Sequence, residues 1–186
     1  MKQTIIVFVK NEPGVLNRIA GHFYRLNYNI ESIAAGRSEK RGITRITIVC
    51  NHSDHYNQSL IQKHLEELNR VIKVIDITNV PSVVREYALI KVQTQKKTME
   101  NLKEFVHKKG AKVIDMDECS CIVEATGKVE EVELLIEELN QFDVLEIMRS
   151  GKMAMVCVDQ DEHRVEMEEI KRKKDWATEQ LSDALS

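Results

Sequence analysis

Between residues 5 and 37 the chain reads as strand, loop, helix and strand in one unbroken run, and this run limits the folds open to everything after it. Residues 5–9 (IIVFV) are β-branched or aromatic and suit a buried, pleated surface. The pattern breaks at Asn11, Glu12, Pro13 and Gly14. Helical spacing begins at once, since Val15, Leu16, Ile19, Ala20 and Phe23 recur at steps of three and four. Asn11 can cap, Pro13 has a φ suited to entering a helix, and Gly14 admits a ligand or another backbone to the first helical amides. Those amides have no intrahelical partner and lie at the positive end of the helix dipole, so a carboxylate could sit there. A loop that only has to turn would use the same residues, and the pattern alone does not separate the two readings.

The plan then completes and repeats. Residues 29–37 read as a strand, residues 38–42 as a polar turn, and residues 43–50 as a strand that places Ile46, Ile48 and Cys50 on one face and Thr47 and Val49 on the other. A helix over residues 59–68 and a strand over 71–80 close a β-α-β-β-α-β unit. Pro81 and Ser82 mark a boundary. The second unit offers strands at 86–93, 112–116, 119–126 and 144–149, helices at 97–108 and 129–140, and a short additional strand at 153–158. Gly110 ends the first of these helices. The expected fold class is α+β: two tandem ferredoxin-like βαββαβ domains, each an antiparallel four-stranded sheet with two helices on one face. They are expected to occupy residues 1–80 and 81–158, with a charged helical tail over 159–186.

Composition excludes several functions. The net charge is −3 and the pI about 6.1, so nothing in the bulk charge points to nucleic acid or an anionic membrane as partner. By zone the charge runs +4 over residues 1–80, −3 over 81–158 and −4 over 159–186. No apolar run approaches the roughly 20 residues of a spanning helix, and Met1 to Thr4 lead directly into a strand, so a cytoplasmic protein is expected. The 4 cysteines do not constitute a disulfide framework in such a chain.

Catalytic constellations are not apparent. Cys119 and Cys121 lie two apart on the expected strand, a spacing used by metal sites, but no second pair or neighbouring His completes a ligand set, and small buried hydrophobes are the simpler reading. His52 and His55 fall in a polar loop, and the acidic group Asp115, Asp117 and Glu118 falls in a turn with no evident partner to raise a carboxylate pKa. A small metal-dependent enzyme built on these residues is the alternative from a different functional class. Neither a phosphate loop nor a nucleophile elbow is present.

The run NEPGVLNRIAGHFYRLNYNIESI at 11–33, with GITRITIV at 42–49, REYALIKV at 85–92 and MRSG at 148–151, resembles the small regulatory subunit of acetolactate (acetohydroxyacid) synthase, an ACT-domain family. The resemblance extends to about residue 158. It implies a regulatory subunit without catalytic residues, metal or cofactor of its own. Its partner would be the large catalytic subunit, which uses thiamine diphosphate, Mg²⁺ and commonly FAD. The implied ligand is a branched-chain amino acid, usually valine, held between two ACT domains of a homodimer or higher homo-oligomer. Carried over, Asn11, Pro13, Gly14, Val15 and Leu16 form the loop side of that site, and Asn29 and Ile30 the facing strand. Asn17 and Ala34, which flank it, depart from residues frequent in the family. A stand-alone tandem ACT amino-acid sensor or transcriptional co-regulator would share the fold and differ in partner; REYALIKV and MRSG favour the synthase subunit.

Overall fold

Runs of β-branched residues build two long strands, β1 (Lys2–Lys10) and β5 (Ser82–Gln93), and each is an interior strand of its own sheet. The computed structural model describes residues 2–51, 58–94 and 99–158. Residues 2–155 form one compact unit among the described residues.

Around β1 the strand order is β2-β3-β1-β4, with β2 (Asn29–Arg37), β3 (Ile43–Asn51) and β4 (Val71–Asp76) each antiparallel to its neighbours. Helices α1 (Val15–Arg25) and α2 (Gln58–Glu66) cover one face, burying Ile19, Phe23, Ile61 and Leu65 against Ile5, Val7, Ile46 and Ile48. The α1 helix stops at Asn27, whose φ of 57° turns the chain so that Asn27 N–H donates to Tyr24 O and Tyr28 N–H to Phe23 O. The second sheet has the order β6-β7-β5-β8, from β6 (Lys112–Met116), β7 (Ser120–Gly127) and β8 (Val144–Arg149), and β9 (Met153–Val156) joins β5 as a fifth strand. Leu102 and Val106 of α3 (Met99–Lys108) and Val132, Leu135 and Leu139 of α4 (Val129–Leu139) pack on Ala88, Ile90, Val92 and Val123. The α+β class and the doubled ferredoxin-like plan agree with the sequence.

Several boundaries differ, each for a local physical reason. Strand β4 ends at Asp76, not at residue 80. The Asp76 carboxylate accepts Thr78 N–H at 2.9 Å and Gln3 Nε2–H at 2.7 Å, while Ile77 N–H returns to Thr4 O, and this side-chain turn ends the ladder. Strand β5 begins at Ser82, immediately after Pro81. The expected pairing of Cys119 and Cys121 on one strand face fails: Cys121 is buried in β7, whereas Cys119 is exposed in the preceding turn. Asp117 builds that turn by accepting Cys119 N–H at 2.7 Å and Ser120 N–H at 2.6 Å, bonds that hold its carboxyl below the usual range rather than raising it. His52, His55 and the tail at 159–186 lie outside the described residues.

The first sheet is also covered on both faces. Ile6, Thr47 and Val49 point away from the helices, yet each is 2% exposed or less. The turn at Ser150, Gly151 and Lys152 and the start of β9 lie against this side, with Gly151 beside Ser32 and the Arg45 guanidinium donating to Ala154 O.

One buried carboxylate holds the β8 end of the second sheet. Glu86 shares the core-facing side of β5 with Ala88, Ile90 and Val92 and is 3% exposed. Arg149 answers it in two-pronged fashion, Nε to Oε1 at 3.0 Å and Nη2 to Oε2 at 2.7 Å, and a third nitrogen reaches Glu133. Arg149→Leu therefore leaves a buried carboxylate unpaired. Denaturant unfolding should show a loss of roughly 2–4 kcal/mol, moderated because Arg149 keeps contact with solvent, and the double variant Glu86→Gln/Arg149→Leu should recover part of it.

Between α1 and α2, the His22 and His64 rings lie 5.4 Å apart. Burial, then the nearby His64 and Arg25, lower the pKa of His22, with Glu67 opposing them. Because the folded-state pKa lies below the unfolded value of 6.5, the stability that neutral His22 contributes is present above that value and is lost as the pH falls below it. Thermal unfolding at pH 7 and pH 5 should show a smaller acid-induced decrease in His22→Gln than in the unaltered protein.

Candidate functional site

The loop between β1 and α1 is fixed by backbone bonds rather than by side-chain caps. Glu12 N–H donates to Lys10 O at 2.9 Å, Asn11 N–H donates to Gly42 O at 2.8 Å, and Lys10 N–H donates to Arg70 O at 2.9 Å. Glu12 pairs with Arg70 through their side chains. Gly14 has φ of +81°, a conformation that favours glycine, and a Cβ placed there would meet nothing within 4 Å. No side chain caps α1, so its first amides present donors at a surface where Asn11, Pro13 and Gly14 are all exposed.

The side chains that follow diverge. Val15 is 5% exposed and packs in the core of the first sheet, whereas Leu16 is 47% exposed. Of these two, only Leu16 presents its side chain outward, and Val15 has its backbone amide to offer.

Asn29 and Ile30 open β2. Asn29 is exposed, and Ile30 is partly buried against the core. They do not lie beside the loop of their own chain. Asn29 is opposite Asn51, which is opposite Lys2, whereas Arg37 is opposite Thr44, which is opposite Val9. The start of β2 and the loop after β1 thus occupy opposite ends of the sheet, separated by about 25 Å at the usual rise per strand residue. The seven residues form two groups in one chain.

Two features of this region were not read from the sequence. Glu31 is the extra residue of a β-bulge, since Ile30 pairs with Cys50 and Ser32 with Val49, and its carboxylate meets Lys2 Nζ at 3.0 Å. Gly151 approaches Ser32 so closely that a Cβ on it would lie 2.8 Å from Ser32 Cβ. A signal existed only for the neighbouring ion pair: alternation through REYALIKV puts Glu86 on the apolar face, and a buried carboxylate demands a cation.

The remaining titratable groups show no catalytic arrangement among the described residues. Burial pushes the Cys50 thiol up to about 11 and raises that of Cys121. No group of three or more His, Cys, Asp or Glu among the described residues could hold a metal ion, and no helix among them is long and apolar enough to cross a membrane.

Comparison with known proteins gives the family. Residues 5–75 match the model of the AHAS small subunit-like ACT domain, and residues 85–157 match that of the small subunit of acetolactate synthase. The acetolactate synthase small subunit of Bacillus subtilis is 40% identical over 154 residues, 83% of this chain and 90% of that protein. Its counterpart in Mycobacterium leprae is 40% identical over 152 residues, 82% of this chain and 89% of that one. The crystal structure of the acetolactate synthase small subunit from Thermotoga maritima superimposes with a TM-score of 0.78 at 35% identity, covering 86% of this chain and 99% of that one. The chain belongs to the family of acetolactate synthase small subunits, the regulatory, non-catalytic part of that enzyme.

Proposed function

We propose that this chain binds a branched-chain amino acid, valine foremost, in a site closed by two copies of itself, and so confers activation and feedback inhibition on the separate catalytic subunit. The supporting observation is the placement of β2. Among the described residues it is an edge strand, paired only with β3, and its start lies at the far end of the sheet from the loop at 11–16. A second copy that pairs antiparallel along this free edge places the start of one β2 beside the end of the other. The end of β2 is where its own loop sits, tied through Asn11 N–H and Gly42 O. Asn29 and Ile30 of one copy then face Asn11, Pro13, Gly14, Val15 and Leu16 of the other.

Such a site suits a small branched amino acid. The amides of Val15 and Leu16 hold the carboxylate, and the side chains of Asn11 and Asn29, with nearby carbonyls, take the ammonium. Leu16 and Ile30 pack on the branched side chain. A ligand this small offers little apolar area, so the polar contacts contributed by two copies set its affinity. Occupancy favours one arrangement of the homodimer over another, and only that differential affinity can act on the catalytic subunit.

In this reading residues 1–80 are the effector-binding domain and residues 81–158 a second domain. Thiamine diphosphate, Mg²⁺ and FAD belong to the catalytic partner, which joins two pyruvates, or pyruvate and 2-oxobutyrate, in the cytoplasm. The match of residues 85–157 to the synthase small-subunit model weighs against a stand-alone sensor.

Calorimetric titration with valine, leucine, isoleucine and glycine, with oligomer mass followed in parallel, tests the reading. Saturable binding of a branched-chain amino acid by a dimer is expected, and an absence of binding both to the isolated subunit and to the holoenzyme would overturn it. Gly14→Asp should remove binding, because it puts a carboxylate and a Cβ where the ligand's own carboxylate must approach, and circular dichroism of the variant checks that the fold is kept at this positive φ. Asn29→Ala should weaken binding by roughly 1–3 kcal/mol, about 5- to 150-fold in Kd.

A further inference from the structure

Two defined contacts join the sheets beside β2 and β3. Ser32, on β2, meets Gly151 in the turn between β8 and β9, and the Arg45 guanidinium, on β3, donates to Ala154 O in β9. Beside the first contact lies a cleft of about 500 Å³, with Glu31, Ser32 and Ile33 on one wall and Arg149, Ser150 and Gly151 on the other. The sheets therefore leave a cleft between them at this point.

The two sides of the Ser32 contact differ in rigidity. On the side of the second sheet, Arg149 is held by both oxygens of the buried Glu86. Ser150 N–H donates to Tyr87 O at 2.9 Å, and Tyr87 N–H donates to Ser150 Oγ at 3.0 Å. The turn is thereby locked to β5. Gly151 has φ of +72° and would carry its Cβ within 2.8 Å of Ser32 Cβ and 3.2 Å of Ser32 Oγ, so both conformation and approach require glycine. On the side of the first sheet, the bulge at Glu31 interrupts the β2 ladder immediately before Ser32. A bulge bends the strand, increases its local twist and re-aims the residue next to it.

We propose that the Glu31 bulge and the Ser32–Gly151 contact form the joint by which effector occupancy at Asn29 and Ile30 reaches the second sheet. The inference rests on the effector reading above and adds its route. Ligand that holds Asn29 and Ile30 against a second copy fixes the strand on one side of the bulge. The adjustment appears on the other side, at Ser32, where it presses on a turn that cannot yield without moving β5 and β8. Lys2 Nζ pairs with the Glu31 carboxylate at the bulge at 3.0 Å.

The test uses the small subunit reconstituted with its catalytic subunit. Effector affinity is measured by calorimetry, and inhibition by valine is measured in the holoenzyme. Gly151→Ala should bind valine with an affinity close to that of the unaltered protein while its inhibition response falls by about 5-fold or more, the usual size of an allosteric coupling. Adding Ser32→Gly removes the Cβ that Gly151→Ala would strike, and the double variant should recover response. Ser32→Gly alone opens the contact without adding bulk or strain at the turn, and it should also bind normally and respond weakly, which covers the case in which Gly151→Ala fails to fold. Normal binding with an unchanged response in Ser32→Gly and in any folded Gly151→Ala would overturn the joint. So would a double variant no more responsive than Gly151→Ala. If the unaltered subunit binds no branched-chain amino acid, alone or in the holoenzyme, the effector reading itself has failed, an outcome distinct from either of these.

Discussion

Strands β1 and β2 both run antiparallel to β3, so they run parallel to each other, and a short hairpin cannot connect them. The chain must carry α1 back along the sheet before β2 begins. This constraint decides where function can lie. It sends the β1–α1 loop to one end of the sheet and the start of β2 to the other, while leaving β2 with an edge that no other described strand pairs. An unpaired edge strand is a hazard unless something covers it, and a second copy of the same strand covers it with a complementary ladder. In this account, the separation within one chain is what makes the proposed ligand site a property of two.

The second sheet repeats the plan and answers a different demand. It commits a carboxylate to its interior at Glu86 and must supply Arg149 to satisfy it. A buried, two-pronged ion pair has little tolerance for altered geometry, so it specifies the path of β8 and of the turn that follows. That turn carries Gly151 against the first sheet. A purely apolar pair in the same place could slide, whereas the paired charges fix the turn relative to β5.

Much of the fold could be read because the relevant signals are local. The alternation through β3, the helical stripe from Val15 to Phe23 and the glycine after α3 each identify an element without reference to the remainder. What could not be read depends on tertiary partners. Asp76 ends β4 because Gln3 and Thr78 are at hand, and the sequence of β4 gives no warning. Thr47 and Val49 are buried because a turn more than one hundred residues later lies over them, so a strand that alternates like a half-exposed one is covered on both faces. The loop residues 11–16 and the pair Asn29 and Ile30 could be named from residue type and resemblance. Their placement at opposite ends required the topology, and the distinction between Val15, turned inward, and Leu16, turned outward, required the core. The Glu31 bulge left no trace in the sequence, because one inserted residue in a mixed polar strand does not disturb a recognisable pattern.

The central claim, that the effector site takes its loop from one copy and its strand from another, is tested most directly by mixing two damaged proteins. Subunits carrying Gly14→Asp are unfolded and refolded together with subunits carrying Asn29→Ala, and valine binding of the mixture is compared with that of each variant refolded alone. In a mixed dimer, one of the two sites combines an intact loop with an intact strand. The account predicts that a fraction of sites with the affinity of the unaltered protein reappears in the mixture and in neither variant alone. A mixture that contains mixed dimers by mass, yet binds no better than its components, would contradict it.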